Sequence, residues 1–326
     1  MRLAILFPGQ GSQSVGMLSG FAGNDAVARV MARSSEALGE DLEKLISEGP
    51  AEKLGLTVNT QPVMLACSVA FYEAAREAGI PEPAVMAGHS LGEYSALTAA
   101  GAFRLEDAVP LVRFRAQAMQ EAVPVGLGGM AAIIGLADDA VEAVCREASE
   151  AGVVEPVNFN SPGQVVIAGV KAAVERACEL ARAAGAKRAL PLAVSAPFHS
   201  SLLAPARDRL AARLAEVAIA EPRVPVIANV DAAQHGSADS IRDALARQAC
   251  SPVQWVKTMH EMEKLGVTHM IECGPGKVLT GLARRCVPSI PCYPVHSAET
   301  LDGTVIYELY DSAHDGREGA PDFHGG

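Results

Sequence analysis

The chain is 326 residues long, with 49% hydrophobic, 20% charged and 4% aromatic side chains, enough for one large globular domain or two ordinary ones around a sizeable core. Thirty-eight acidic against twenty-seven basic residues leave a formal charge of −11, which repels nucleic acid and anionic membrane and removes both from the expected partners. Thirty glycines and twenty prolines are scattered rather than periodic, which excludes collagen-like and low-complexity chains.

Leu3 to Phe7 is an apolar run that stops at Pro8-Gly9; it predicts a first strand and is too short for the core of a signal peptide. From Gln61 to Ala78, apolar residues at Val63, Leu65, Ala66, Val69, Ala70 and Ala74 recur at helical spacing, with Gly79 and Pro81 as stop signals. This predicts a buried helix. Its Val63 to Phe71 stretch is the longest apolar run and falls well short of the roughly 20 residues that cross a bilayer, so no membrane span is expected. Ala84 to Ala87 predicts another strand, running into Gly88-His89-Ser90-Leu91-Gly92 and a helix-like stretch. Gly-x-Ser-x-Gly between strand and helix is the pattern of a nucleophile elbow. The glycines permit a tight turn that lifts the serine hydroxyl above the sheet edge, and the Leu91 amide points to where an oxyanion would form. A glycine-bounded turn with a serine cap would leave the same pattern.

From about Gly129 to Val194 the grammar changes: strand Met130 to Ile134, helix Asp138 to Ala151, strand Val153 to Phe159, strand Gln164 to Gly169, helix Ala172 to Ala184, strand Arg188 to Val194. That βαββαβ order is the ferredoxin-like motif. It reads as a small domain, residues 126–196, inserted through the glycines 126, 128 and 129 into a larger domain made of residues 1–125 and 197–300. Strand and helix alternate again after it, with strands at Val224 to Ala228 and Thr268 to Ile271, and such alternation predicts an α/β fold with a parallel sheet. Residues 301–326 are rich in Asp, Gly and His apart from an alternating patch, Thr304 to Tyr310. They predict a loosely held tail, with His314 and His324 as stray histidines rather than metal ligands. Seven cysteines, an odd number and never spaced as Cys-x-x-Cys, predict reduced packing thiols and a cytoplasmic protein. Gly9-x-Gly11-x-x-Ser14 lacks the third glycine and the distant acid of a dinucleotide fingerprint, and Gly274-Pro275-Gly276-Lys277 lacks the Walker spacing.

A nucleophilic serine needs a base. His89 is adjacent to Ser90 and directed away from it, His260 and His269 fall in helix and strand patterns, and His235 and His296 have no distinguishing context. His199, in Ser195-Ala196-Pro197-Phe198-His199-Ser200, stands out by position alone, in the loop where the inserted segment hands the chain back. No Asp or Glu stands out as a third member. An amide or a backbone carbonyl would then hold the imidazole, a dyad that suffices for an activated thioester.

Six segments in combination resemble one family: Pro8-Gly9-Gln10-Gly11-Ser12-Gln13, Gly88 to Glu93, Arg115 followed by Met119-Gln120, Val157 to Gln164, Phe198-His199-Ser200, and Gln248 before Pro252-Val253-Gln254-Trp255. Over about residues 3 to 298 the chain resembles the malonyl-CoA:acyl carrier protein transacylases of fatty acid synthesis and the related acyltransferase domains of polyketide synthases. The resemblance implies an α/β-hydrolase-like large domain with a ferredoxin-like insert, Ser90 as nucleophile and His199 as base. It implies an oxyanion hole from the amides of Gln10 and Leu91, and substrate contacts from Arg115, Gln248, Asn158 and Phe198, with Gln248 also near the histidine. Arg115 would pair with the free carboxylate of the substrate, which a planar guanidinium can grip with two hydrogen bonds. Phe198 would narrow the acyl pocket in favour of malonyl over methylmalonyl. Arg113, two residues away on the same helix, must face elsewhere and is expected to be solvated. The implied activity moves malonyl from coenzyme A to the phosphopantetheine thiol of acyl carrier protein through a serine-bound acyl-enzyme, with no cofactor and no metal. Lys187, Arg188, Lys277, Arg284 and Arg285 are candidates to dock an acidic carrier. Alternatives are a stand-alone polyketide-type acyltransferase, a serine esterase or thioesterase with no use for Arg115, and a non-catalytic ligand-binding protein.

Overall fold

Every residue of Leu3–Phe7 is apolar and buried, as a strand covered on both faces must be. Leu3, Ile5 and Phe7 face one core with the helix Thr57–Glu77; Ala4 and Leu6 face another with Trp255, Met259 and Leu279. The computed structural model describes residues 1–194, 196–305 and 309. Its strands are β1 (Leu3–Phe7), β2 (Val85–Gly88), β3 (Gly128–Ile134), β4 (Val154–Ser161), β5 (Gln164–Val170), β6 (Arg188–Pro191), β7 (Val226–Ile227), β8 (His269–Cys273) and β9 (Cys292–Val295). They form a parallel five-stranded sheet, β7-β2-β1-β8-β9, and a separate antiparallel four-stranded sheet, β4-β5-β3-β6. The helices Asp138–Ala148 and Lys171–Ala183 share the second sheet's apolar core, through Val141, Val144, Val174 and Ala177.

Several boundaries differ from the sequence expectation for identifiable reasons. The buried helix starts at Thr57, not Gln61: Pro62 reads as a first-turn residue, but Thr60 Oγ1 donates to the carbonyls of Leu54 (2.6 Å) and Leu56 (3.0 Å) and holds an earlier start. The strand predicted to reach Val194 ends at Pro191; Leu192 still donates to Met130, then Val194 donates back to the Leu192 carbonyl and turns the chain. The predicted Val224 to Ala228 strand contracts to two residues. β9 escaped the pattern because Pro291 and Pro294 interrupt it. The segment Gly274 to Lys277 is the turn between β8 and the helix Val278–Cys286. Beyond Thr300, where a loose tail was expected, Thr300–Val305 is helical, and Leu301 and Leu309 are buried in the core beside β1. The rest of the alternating patch, His314 and His324 lie outside the described residues, as does Ser195.

The two sheets are stitched beside the future site. Phe159 donates to the Val253 carbonyl (3.1 Å) and Val253 to that of Val157 (2.8 Å), while the Ser201 amide and hydroxyl both donate to the Glu155 carboxylate, at 2.8 and 2.5 Å. All seven cysteines are free, six of them buried; burial pushes the thiols of Cys145 and Cys292 up to about 12 and that of Cys286 up to about 11. Among the described residues no helix is long and apolar enough to cross a membrane.

Candidate active site

β2 ends at Gly88 and the helix Leu91–Ala99 begins two residues after Ser90's neighbour His89, so Ser90 is the corner of a sharp strand-to-helix turn. The glycines are required by close approach rather than by dihedral: a Cβ on Gly88 would overlap the Gly92 carbonyl, and one on Gly92 would overlap the backbone of Phe7. The strained residue is Ser90 itself, at φ 52 and ψ −110, a region that side chains disfavour. Three bonds hold it there. Its amide donates to Asn229 Oδ1 (2.7 Å), Asn229 Nδ2 donates to the Gly88 carbonyl (2.7 Å), and Gln248 Nε2 donates to the Ser90 carbonyl (3.0 Å).

The Ser90 hydroxyl lies 2.7 Å from His199 Nε2. His199 Nδ1 lies 2.8 Å from the backbone carbonyl of Gln248, and since a carbonyl only accepts, Nδ1 carries the proton and Nε2 offers its lone pair to the serine. Burial, and next the charge of Arg115, hold the His199 imidazole down at about 3, so it is neutral and competent to accept a proton. His199 is itself in the left-handed region, φ 65, in a loop braced by Ser200 Oγ donating to the Pro197 carbonyl at 2.7 Å.

Arg115 is 1% exposed, on the helix Leu105–Glu121. Its Nη1 donates to Gln61 Oε1 (2.7 Å), and its Nη2 to Gln248 Oε1 (2.9 Å) and Ser90 Oγ (3.1 Å). The guanidinium lies 5.2 Å from the centre of the Tyr94 ring, a stacking that favours a cation. Arg113 does face elsewhere, yet it is not simply solvated: it grips both carboxylate oxygens of Glu40 at 2.9 and 3.0 Å, and the Arg113 hydrogen bond holds that carboxyl below its ordinary range.

A cavity of about 220 Å³ opens over Ser90, lined by Gln10, His89, Leu91, Arg115, Asn158, Phe198 and His199 among others. Neither the Gln10 nor the Leu91 amide is engaged by an acceptor among the described residues. The Asn158 Oδ1 is buried with no partner there, and His89 Nε2 bonds Asn160 Oδ1 at 2.7 Å. Past Gln10, Met130 and Phe198 the cavity continues into a groove of about 770 Å³ bordered by Leu56, Val125, Lys171 and Arg182. Gln248, expected from the resemblance to contact substrate, does not line the cavity. It is 1% exposed and lies behind the reacting groups, bonded to His199, Arg115, Ser90 and Glu93. Sequence reasoning passed over Gln61, Glu93 and Asn229, which meet these groups only in three dimensions. Among the described residues no group of three or more His, Cys, Asp or Glu is placed to hold a metal ion.

Residues 5–314 match the acyl transferase domain model. The chain is 55% identical over 290 residues, 89% of its length and 94% of the relative's, to the malonyl CoA-acyl carrier protein transacylase of Escherichia coli K12. It superposes with a TM-score of 0.92, at 57% identity over 95% of this chain and 100% of the other, on acyl-carrier-protein S-malonyltransferase from Burkholderia pseudomallei 1710b. A malonyl-transacylase solved in complex with its type II PKS acyl-carrier protein gives the same TM-score, 0.92, at 47% identity over 95% and 100% of the two chains. With a serine, an imidazole and a guanidinium meeting at a strand-to-helix elbow, and with likeness of this degree along almost its whole length, the chain belongs to the acyl transferase domain family, among the malonyl CoA-acyl carrier protein transacylases.

Proposed function

We propose that this protein transfers a malonyl group from coenzyme A to the phosphopantetheine thiol of acyl carrier protein by way of an ester on Ser90. The observation that carries the reading is the Ser90 hydroxyl held between a neutral imidazole nitrogen and a buried guanidinium. His199 takes the serine proton as Ser90 Oγ attacks the thioester carbonyl; the tetrahedral oxyanion forms against the free amides of Gln10 and Leu91. The carbon–sulfur bond breaks and coenzyme A leaves with the proton from His199. In the second half His199 takes the proton of the carrier's thiol, the thiolate attacks the Ser90 ester, and the proton returns to Ser90. Each of these steps is carried by protein groups, so the reading calls for no cofactor.

Arg115 binds the malonyl carboxylate. A guanidinium has five N–H donors, and three are occupied by Gln61, Gln248 and Ser90, so a carboxylate can be held by an unused donor and by the one it takes from Ser90. Asn158 lines the chamber with its buried acceptor, and Phe198 stands where chamber and groove join, which suits both to contact the acyl group and its thioester arm. The groove is the route we assign to the pantetheine arm. For the carrier itself we favour Lys187, Arg188 and Arg285, which hold neighbouring positions: the Lys187 amide donates to the Ile134 carbonyl, Arg188 and Gln164 are both strand partners of Ile134, and Arg285 bonds Gln164 at 3.0 Å on the edge of the cavity.

The architecture fits an α/β-hydrolase-like large domain of residues 1–125 and 197–300 with a ferredoxin-like insert of residues 126–196, and the strand order β4-β5-β3-β6 supports that description. Seven unbridged thiols suit a reducing cytosol. The test is mass spectrometry of the intact protein mixed with malonyl-CoA. One malonyl group should appear on Ser90, vanish on addition of holo acyl carrier protein and be absent in Ser90→Ala. Discharge to water at the rate of discharge to the carrier would favour a thioesterase instead.

A further inference from the structure

Glu93 is 2% exposed, in the first turn of the helix Leu91–Ala99. There a carboxylate gains from the helix N-terminus but loses its water. Its Oε2 accepts from Gln248 Nε2 at 2.7 Å and from the Asn229 amide at 3.1 Å. Both partners touch the reacting groups: the Gln248 carbonyl holds His199 and its Oε1 holds Arg115, while Asn229 Oδ1 holds the Ser90 amide. The two ends of a glutamine amide have nearly the same shape, and partners that can only accept or only donate decide which end is nitrogen. By claiming Nε2 together with the Ser90 carbonyl, and as the shorter of the two bonds, the Glu93 carboxylate helps to turn Oε1 of Gln248 towards Arg115. The direct partners of Arg115 are neutral, namely Gln61, Gln248 and Ser90. The carboxylate that acts on its charge is Glu93, one side chain further out, and a buried cation without a balancing anion is costly.

We infer that Glu93 is a positioning residue that orients Gln248 and Asn229, serves as the counter-charge of Arg115 in the free enzyme, and takes a proton from solvent when the carboxylate of a malonyl group occupies Arg115. The inference rests on the malonyl-transfer reading above. Two anions that share one buried cation do not both stay ionised near neutrality; one O–H bond forms on Glu93, with the proton drawn from the buffer. Burial already pushes the Glu93 carboxyl up to about 7, against the lowering effect of its hydrogen bonds and of Arg115. The other charge facing it is Asp231, after β7, which raises it further and is itself paired with His235 and Arg247. Tyr94 and His199 remain neutral across the working range, since burial pushes the Tyr94 hydroxyl up and the His199 imidazole down. An acetyl group brings no carboxylate and leaves the balance undisturbed.

The experiment compares kcat/KM for Ser90 acylation by malonyl-CoA and by acetyl-CoA between pH 6 and 8.5, in the full chain and in Glu93→Gln and Glu93→Ala; the ratio cancels any pH effect common to the two donors. In the unaltered protein the malonyl-to-acetyl ratio should fall on the order of tenfold as pH rises through about 7. Glu93→Gln, whose Oε1 can accept both hydrogen bonds without a charge, should hold the ratio flat at its low-pH level. Glu93→Ala takes an acceptor from the Gln248 side-chain amide and from the Asn229 backbone amide and should lower kcat for both donors together. Independently of any variant, acylation by malonyl-CoA at pH 7 in weak buffer with an indicator dye should take up about half a proton per site, and acylation by acetyl-CoA none. A Glu93→Gln ratio that follows the unaltered slope, or equal proton uptake with the two donors, overturns the counter-charge role; an unaltered kcat in Glu93→Ala overturns the positioning role. A normal malonyl adduct with a pH-independent ratio in the unaltered protein defeats this inference alone, whereas failure to form any malonyl adduct defeats the functional reading and this inference with it.

Discussion

Replacing Asn229 by alanine should damage both the fold and the chemistry, by amounts that the structure sets separately. Asn229 is fully buried, and its side chain closes the elbow from both ends, accepting from the Ser90 amide and donating to the Gly88 carbonyl, each at 2.7 Å. Without it two buried backbone groups lose their partners at about 1–3 kcal/mol each. Water entering the space offsets part of that sum, leaving a loss of about 3 kcal/mol. With an unfolding entropy of about 2.1 cal/mol/K per residue over 326 residues, Tm should drop by about 4 °C. The rate should suffer more. Ser90 sits at φ 52, a strain worth about 1–3 kcal/mol that relaxes once its amide is released, and a displacement of about 1 Å from His199 costs about 100-fold in acylation. Quenched-flow mass spectrometry of malonyl transfer to Ser90, beside a thermal melt, reads both. Asn229→Asp sharpens the test: it keeps an acceptor for the Ser90 amide but sets a second acceptor against the Gly88 carbonyl and a charge near Glu93, so it should do no better than alanine. Normal acylation in Asn229→Ala, or full activity in the aspartate variant, would refute the argument that this one amide holds the elbow in place.

Three further outcomes follow from the same geometry. Arg115→Ala should lose about 2 to 5 kcal/mol of transition-state stabilisation with malonyl-CoA, as expected for truncating one side of a buried charge pair, and little with acetyl-CoA; equal losses in the two values of kcat/KM would mean that Arg115 serves the fold instead. His199, held at about 3 instead of its ordinary 6.5, should let acylation by acetyl-CoA stay level from pH 8 down to about 5, where a free imidazole would have lost its basic form. The folded state binds fewer protons than the unfolded one between those two values, so the stability this histidine contributes is present above 6.5 and lost as pH falls towards 3, which denaturant titrations at pH 7 and pH 5 can compare. Gly92→Ala would drive a methyl group into the Phe7 backbone, which neither strand nor helix can vacate, and should cost about 3 kcal/mol, the upper end of overpacking losses. A soluble variant with unchanged Tm would show that the elbow is looser than its contacts imply.

The parts of this molecule legible in the sequence are those whose physics is local. β1 announces itself because five consecutive apolar residues suit only a strand buried on both faces, and Ser90 is visible because the overlaps at Gly88 and Gly92 leave a glycine signature on either side. The βαββαβ order is likewise readable, since each helix is amphipathic and Gly135, Gly152, Gly163 and Gly185 mark four of the five connections. The site's inner scaffold is not. Asn229 meets Ser90 across 139 residues and Gln248, named only through the family resemblance, meets it across 158; a polar residue in a loop or at a helix end looks the same in sequence whether it faces water or a strained backbone. His199 falls between the two: its place in the chain marks it, but the carbonyl that selects its tautomer belongs to a backbone 49 residues on and carries no side-chain signal.

The same backbone carbonyl bears on how long an acylated serine survives. A neutral oxygen on Nδ1 orients the imidazole but does little to stabilise an imidazolium, and the neighbouring Arg115 charge makes that cation dearer still. Acting as the base we propose, it would take a proton from a thiol, with an ordinary pKa of about 8.5, far less uphill than from water at about 15.7. On that reading the loaded enzyme would sort its acceptors by acidity, slow to hydrolyse in a solvent of overwhelming concentration and quicker to discharge to a scarce thiol presented at the right angle. Loading and unloading can then be separated in time, with the malonyl ester persisting until a carrier arrives.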